Sequence, residues 1–101
     1  MTVLSCAACG HRLTGELLER RHGAGTFRRG PDGYQLDPAD HPGTAPHPSS
    51  SRRNGCCGLD GMDGPNLVCG GCGAEVGTEQ SDCWTGRSTV LSATATTPLG
   101  A

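Results

Sequence analysis

Apolar side chains occur along this chain in short groups, and longer polar or glycine-rich segments separate them. Val3-Leu4 is a brief apolar lead-in near the start. In the last third of the chain, Leu67-Val68 predicts one strand and residues 74–78 predict a second. A turn over 79–82 and a returning strand over 83–91 follow from the same pattern. The hydrophobic pattern therefore predicts a β-rich chain.

The region between these strands adds two further elements. Three leucines come first: Leu13, Leu17 and Leu18. Their spacing fits either a turn-rich helix or an extended segment, and Gly15 among them favours the extended form. Farther on, the Gly-Pro-Asp-Gly turn at 30–33 separates two short segments. This arrangement predicts a β-hairpin with Phe27 and Tyr34 as cross-strand partners.

Two other segments lack the apolar side chains that a buried face requires. Residues 37–55 contain four prolines and have only two alanines as apolar residues, which predicts a mobile Pro/Gly-rich insertion. Residues 55–66 are rich in glycine and predict a tightly turned loop. Residues 92–101 show no pattern, which predicts a disordered tail. Residues 1–91 are expected to form a single domain.

Two cysteine pairs are near copies of each other. The first is Cys6-Ala7-Ala8-Cys9-Gly10, and the second is Cys69-Gly70-Gly71-Cys72-Gly73. Two thiolates three positions apart, followed directly by glycine, form a turn that lets both sulfurs reach one metal ion. Two such turns complete a tetrahedral site. The metal ligands predicted from the sequence are Cys6, Cys9, Cys69 and Cys72, with one Zn²⁺ bound.

The returning strand 83–91 is expected to contact this metal site. Gly86 predicts a bulge in the strand. Trp84, Val90 and Leu91 are the large apolar side chains of the strand. We expect them to form a lid over the metal.

The composition explains why a metal is needed. The hydrophobic fraction is 34%, but it includes seven Cys and nine Ala, which leaves eighteen large apolar side chains in 101 residues. Ordering each residue costs about 1–2 kcal/mol, so burial alone is too weak to hold this chain. Structural zinc contributes roughly 10–16 kcal/mol in small metal-folded peptides. We therefore expect a small metal-stabilised domain.

The two cysteine pairs resemble the paired knuckles of zinc-ribbon and rubredoxin-like proteins, in which two β-hairpin tips face each other across a metal. The resemblance covers about residues 1–20 and 65–91. It implies zinc-ribbon-like β-hairpins with long irregular loops, and the same four cysteine ligands. Zn²⁺ is the implied metal, and iron is a less favoured occupant of the same thiolates. The fold does not select a function, because ribbons of this kind serve many roles.

Three cysteines remain outside this site: Cys56, Cys57 and Cys83. One interpretation is that they are small buried side chains. Another is a second metal site completed by a histidine, the candidates being His11, His22, His41 and His47. A third is a reactive thiolate at Cys56 or Cys57, with its pKa lowered by Arg52 and Arg53. No general base stands at a recognisable spacing, so no catalytic residue is assigned and an enzyme is not the favoured interpretation.

An alternative ligand set also stays open at this point. The four residues of that set are Cys57, Cys69, Cys72 and Cys83. It would leave Cys6 and Cys9 as a separate pair. This set is less favoured because Cys57 lacks a second cysteine at knuckle spacing.

Charge and targeting signals limit the classes of partner. The net charge of -2 argues against a general polyanion binder, so nucleic-acid binding rests only on arginine doublets at 20–21, 28–29 and 52–53. All eight basic residues are Arg and no Ile occurs, which is typical of a high-GC bacterium. Residues 1–9 lack the basic and apolar regions of an export signal, and no segment has the length of a membrane span. The chain is expected to be cytoplasmic, where thiols stay reduced.

These observations predict a small cytoplasmic zinc-binding protein whose four-cysteine site supports a surface for a protein partner. That surface is expected at the glycine-rich loop 55–66 and the arginine doublets. One alternative is a thiol-dependent redox or metal-handling protein that uses Cys56, Cys57 and Cys83. A second alternative is a nucleic-acid-binding zinc ribbon.

Overall fold

The computed structural model describes residues 1–20, 23–83 and 87–100. Within them the chain consists of short strands, and the helical segments are two single turns of 3-10 helix at Pro38–Asp40 and Ser50–Arg52. The strands are β1 (Thr2–Cys6), β2 (Leu18–Glu19), β3 (Thr26–Gly30), β4 (Gly33–Leu36), β5 (Thr44–Pro46), β6 (Leu67–Cys69), β7 (Glu75–Gln80), β8 (Ser88–Ser92) and β9 (Thr96–Gly100). The prediction of a β-rich chain is confirmed.

The strands form two sheets. One sheet has seven strands in the order β2-β3-β4-β8-β7-β6-β5, and the other pairs β1 with β9. Neighbouring strands are antiparallel except β2 and β3, which are parallel. Strands β6, β7 and β8 from the second half of the chain lie between β4 and β5 from the first half.

The predicted β-hairpin is confirmed as β3 and β4, but its register differs from the prediction. Gly30 pairs with Gly33, so the loop has only two residues, and this places Phe27 opposite Leu36 rather than Tyr34. The Phe27 and Tyr34 rings are diagonal neighbours in edge contact, with centroids 6.1 Å apart. The Arg29 guanidinium lies 5.8 Å and 5.6 Å from these two centroids and covers both rings.

The segment after the first cysteine pair is extended, as the sequence favours. Single bridges join Arg12 to Ser5 and Leu17 to Thr2, and β2 follows directly. Leu17 is buried, as is Leu13, whereas Leu18 is 38% exposed. The leucines therefore follow the pattern of an extended segment with one face on the core.

The strands around the second cysteine pair match the prediction, but the turn after them is displaced. β7 continues through Glu79 and Gln80, which pair with residues of β8, so the predicted turn over 79–82 starts two residues late. The returning strand begins at Ser88 rather than at Cys83. Gly86, the predicted bulge, lies outside the described residues.

The segment 37–55 carries secondary structure, which differs from the predicted mobile insertion. Asp37 caps the first 3-10 turn by accepting a 2.8 Å hydrogen bond from the Ala39 N–H. Thr44–Pro46 forms β5, which is the edge strand beside β6. An edge strand is held by backbone hydrogen bonds along one side. It therefore does not need the apolar side chains whose scarcity indicated a loop.

The predicted disordered tail also differs from the structure, because it contains β9. Thr96–Gly100 pairs along the whole of β1, from Cys6 opposite Thr96 to Thr2 opposite Gly100. On its other side β1 makes only isolated bridges in the described part of the chain. β9 therefore supplies hydrogen-bond partners for backbone groups that would otherwise lack them.

One buried cluster joins both sheets and both cysteine pairs. Its members are Leu4, Cys6, Leu13, Leu17, Phe27, Leu36, Leu67, Cys69, Val76 and Leu91. Of the predicted lid, Leu91 is fully buried in the same cluster as Cys6 and Cys69, while Val90 is only half-buried. Trp84 lies outside the described residues.

Candidate metal centre

The two cysteine pairs form turns with the same backbone hydrogen bonds. In the first turn, the Cys6 N–H donates to the His11 carbonyl, and the Gly10 N–H donates to the Cys6 carbonyl, both at 2.8 Å. The equivalent bonds of the second turn, 63 residues farther along the chain, are 2.8 Å and 2.9 Å long. The repeated sequence is therefore also a repeated structure.

The glycine after each pair has a conformational role. Gly10 and Gly73 have φ angles of +79° and +80°, in the left-handed region. A residue with a Cβ costs roughly 1–2 kcal/mol in this region. Gly10 and Gly73 thus allow the tight turn after each cysteine pair without backbone strain.

The four predicted ligands are brought together. Their sulfurs all lie within 4.8 Å of one another. Two distances that cross between the turns are shorter: 3.7 Å from Cys6 Sγ to Cys72 Sγ, and 3.6 Å from Cys9 Sγ to Cys69 Sγ. A tetrahedral site with Zn–S bonds of about 2.3 Å has sulfur–sulfur edges of about 3.8 Å, while a disulfide measures about 2.05 Å. The cluster can therefore hold one metal ion.

The centre lies where the core meets the solvent. Cys6 and Cys69 are each 2% exposed, whereas Cys9 and Cys72 are exposed. In each turn the first cysteine faces the buried cluster and the second faces outward. The four potential ligands are thus two buried thiols and two exposed thiols.

The thiols of the centre differ in their acidity. Burial raises the pKa of Cys69, but hydrogen bonds from the Cys72 and Gly71 N–H groups outweigh it and lower the pKa to about 7. In Cys9, a hydrogen bond from the His11 backbone lowers the pKa, but partial desolvation of this exposed thiol and its three neighbouring sulfurs raise the pKa to about 12. Four thiols this close repel one another as thiolates, and a divalent cation removes that repulsion.

One residue of the central segment, Gly43, forms backbone hydrogen bonds with both halves of the centre. The Gly43 N–H donates to the Leu13 carbonyl at 2.9 Å, and the Gly43 carbonyl accepts from the Gly70 N–H at 2.9 Å. A Cβ at Gly43 would collide with the Arg12 carbonyl, and a Cβ at Gly70 would lie 2.8 Å from the Gly43 oxygen. The residues that sequence reasoning treated as an insertion therefore hold the two halves of the centre in place.

The histidines do not complete a second metal site in the described residues. The His11 ring packs against Gly71, where a Cβ would lie 3.0 Å from it. His41 is buried between the Thr44 and Thr89 hydroxyls, at 2.7 Å and 2.9 Å, and burial lowers its pKa. His47 contacts Glu75 at 2.8 Å. His22 lies outside the described residues.

The alternative ligand set is not brought together. Cys57 and Cys83 form a separate group with Asp82, away from the four-cysteine cluster. Cys56, the remaining surplus thiol, is exposed and belongs to neither group. Sequence reasoning missed Asp82, whose only signal is its position directly before Cys83.

The arginine doublet of β3 is divided, because successive residues of a strand point to opposite faces. Arg29 pairs with Glu19 at 3.1 Å, whereas Arg28 lines a cavity of about 240 Å³ together with Arg20 and Arg87. Arg21, of the first doublet, lies outside the described residues.

Comparison with protein-family models, with curated proteins and with solved structures gave no match. In the described part of the chain, no helix has the length and apolar character needed to cross a membrane.

Proposed function

We propose that the four-cysteine centre binds one Zn²⁺ as a structural metal in a cytoplasmic, zinc-ribbon-like protein. The observation that carries this proposal is the spacing of the sulfurs across the two turns, at 3.7 Å and 3.6 Å. A closed set of four thiolates leaves no open position for a substrate, which is typical of structural zinc. Iron fits the same thiolates and is the less favoured occupant.

Native mass spectrometry tests this centre most directly. The Cys57→Ser/Cys83→Ser variant of the full chain keeps the four ligands and removes the other thiol group. We expect one zinc per chain in this variant, and loss of the folded NMR spectrum when a strong chelator removes the metal. A metal-free variant with an unchanged folded spectrum would contradict the proposal, and iron in place of zinc would correct the occupant.

We further propose that this scaffold presents loop 55–66 to a protein partner. The loop is fixed at Leu59, because the Leu59 carbonyl accepts N–H groups of Ser81 and Asp82 at 2.8 Å and 3.1 Å. Its Met62 side chain is 69% exposed, and methionine adapts well to apolar partner surfaces. A cavity of about 270 Å³ borders the loop and is lined by Leu59, Leu67 and three prolines. A loop that is fixed at Leu59 and exposes the apolar Met62 side chain is suited to binding a partner.

The partner surface can be tested by photo-crosslinking in cell extract at near-physiological salt. A crosslinker placed at position 62 is expected to capture a defined protein, while one at Leu99 is the control. Leu99 is also exposed, at 53%, but it lies on β9. Equal capture at both positions, or none at position 62, would count against loop 55–66 as the surface.

The thiol-redox alternative requires a thiolate at neutral pH. The Cys83 thiol shares hydrogen bonds with the Cys57 thiol and the Asp82 carboxylate, and these raise the pKa of Cys83 to about 11, which disfavours the Cys83 thiolate. The nucleic-acid alternative requires a continuous basic face, and the arginine doublet of β3 is divided between the two faces of its strand. The zinc scaffold with a protein-binding loop is therefore the interpretation that the structure supports best.

A further inference from the structure

A second group of metal-binding side chains lies apart from the four-cysteine centre. The Cys57 and Cys83 sulfurs and one carboxylate oxygen of Asp82 all lie within 4.8 Å of one another. Cys57 belongs to the glycine-rich loop, and the other two residues follow β7 directly. Two segments that are about 25 residues apart in sequence therefore meet through three potential ligands.

The backbone holds these two segments together without a metal. Besides the two N–H groups that reach the Leu59 carbonyl, the Leu59 N–H donates to the Ser81 hydroxyl at 3.2 Å. Gly58 lies so close to the Ser81 carbonyl that a Cβ on it would collide with that group. The ligand atoms thus lie on a preformed base, which reduces the entropy cost of binding an ion.

Asp82 is the central member of the group. It is only 2% exposed, and among the described residues its carboxylate accepts backbone N–H groups of Cys56 at 2.9 Å, Cys57 at 3.1 Å and Cys83 at 2.8 Å. These hydrogen bonds favour the ionised carboxylate and fix its orientation. The protein therefore maintains a buried negative charge beside two exposed thiols.

The Cys57 thiol already directs its proton at this carboxylate. Its Sγ lies 3.2 Å from Asp82 Oδ1. In a tetrahedral site with Zn–S and Zn–O bonds of about 2.3 Å and 2.0 Å, the sulfur–oxygen edge measures about 3.5 Å. A metal ion can therefore take the place of this proton between the two atoms with little movement.

We propose that Cys57, Asp82 and Cys83 form a second binding site for a thiophilic divalent cation such as Zn²⁺. Two thiolates and one carboxylate oxygen bind the ion, and a water molecule takes the fourth position. Both thiol protons pass to solvent, so an ion of charge +2 replaces two protons and the net charge of the site is unchanged. Because both thiols are exposed and one position stays open, this ion exchanges more readily than the one in the four-cysteine centre.

Metal stoichiometry in the full-length, reduced protein tests the site. With zinc in excess, we expect two zinc ions per wild-type chain and one in Cys57→Ser or in Cys83→Ser. Cys56→Ser is the matched control, because Cys56 is adjacent in sequence and belongs to neither group; it should keep both ions. The one ion left in each loss variant occupies the four-cysteine centre and shows that the variant is folded.

Cobalt provides a second measurement of the same site. On titration with Co²⁺, the second equivalent should add about half the thiolate charge-transfer absorbance of the first, since two thiolates bind it instead of four. A third variant, Asp82→Asn, should weaken the second equivalent and leave the first unchanged.

Several results would overturn the proposal. One is a single zinc in the wild type at saturation. Others are two zinc ions in both Cys57→Ser and Cys83→Ser, or loss of the second zinc in Cys56→Ser. A wild-type mass lower by two hydrogens under the same reducing conditions would show a disulfide in place of the metal. None of these results affects the four-cysteine centre, which the Cys57→Ser/Cys83→Ser variant tests separately.

Discussion

The two thiol groups of this protein are held in place by different means. In the four-cysteine centre, the sulfurs come from turns 63 residues apart and all lie within 4.8 Å of one another. In the second group, the Asp82 carboxylate lies beside two thiols and accepts backbone N–H groups of Cys56, Cys57 and Cys83. We expect the first arrangement to need a metal, because four adjacent thiolates repel one another, whereas hydrogen bonds to the carboxylate already stabilise the second. We therefore expect a metal at the four-cysteine centre to stabilise the fold, and a metal at the second group to bind to a chain that is already folded.

The largest expected effect is loss of the fold when the four-cysteine centre loses its metal. Cys69→Ser removes a buried predicted ligand, and the roughly 10–16 kcal/mol of a structural zinc is comparable to the whole stability of a typical domain, about 5–15 kcal/mol. We expect this variant to lack a dispersed NMR spectrum even with zinc in excess. Cys56→Ser is the control and should match the wild type. A folded Cys69→Ser protein would show that the two thiol groups do not differ as argued.

The next largest effect is expected at Gly43, the residue that links the two halves of the four-cysteine centre. In Gly43→Ala, the new Cβ collides with the Arg12 carbonyl and presses on the Leu13 backbone. We expect a loss of at least about 1–3 kcal/mol in the free energy of unfolding, measured by urea denaturation with zinc present. Gly15→Ala is the control, because a Cβ there meets no atom within 4 Å. If both variants unfold at the same urea concentration, Gly43 does not act as the link.

A corresponding change at the second group should affect metal content rather than the fold. In Gly58→Ala, the Cβ collides with the Ser81 carbonyl and displaces the loop that carries Cys57. We expect one zinc per chain instead of two by native mass spectrometry, with the folded spectrum retained. Gly15→Ala again serves as the control and should bind two. An unfolded Gly58→Ala protein would mean that the second group supports the fold as strongly as the first.

The smallest expected effect is a pH dependence that belongs to Asp82. Hydrogen bonds from the Cys56 and Cys57 N–H groups, and then from the Cys57 thiol, hold the pKa of Asp82 well below its ordinary value of 3.8. As the pH falls, the Asp82 carboxylate is therefore protonated at a higher pH in the unfolded chain than in the folded chain. The stabilisation is complete above pH 3.8 and decreases below it.

The difference between wild type and Asp82→Asn isolates this contribution, since protonation of the four-cysteine centre is common to both. Urea midpoints, measured with zinc in excess at each pH where both proteins are folded, should differ by a constant amount above pH 3.8 and by less below it. A difference that does not decrease below pH 3.8 would show that the Asp82 charge does not stabilise the fold.

The sequence predicts the four-cysteine centre well because its signal is local and repeated. Cys6 and Cys69 stand at the same place in two turns, and the glycine that follows each pair has the required positive φ. The hairpin at 30–33 was also predictable, because a Pro-Asp-Gly turn is a local signal. Its register depends on the length of the loop, and there the prediction of Phe27 opposite Tyr34 was wrong.

The features that the sequence does not predict all depend on contacts distant along the chain. Strands β5 and β9 have weak patterns of their own and exist because β6 and β1 offer backbone groups to pair with. The sequence gives no sign that Gly43 differs from other loop glycines, because its close contact with the Arg12 carbonyl is formed only in the fold. From the sequence, Asp82 is predicted to be a turn residue. The residues next to it in sequence do not indicate that Cys57, from another loop, lies beside it.

The order of the seven-stranded sheet has a consequence for synthesis on the ribosome. The strands β6, β7 and β8 fill the gap between β4 and β5, although both flanking strands are made first. Until the second half of the chain emerges, β4 and β5 each have an unpaired edge, and Cys6 and Cys9 have no facing thiols. Native pairing must then form across long separations, which slows folding and leaves strand edges open to aggregation. In the nascent chain, the edges of β4 and β5 therefore stay uncovered until β6, β7 and β8 have been synthesised.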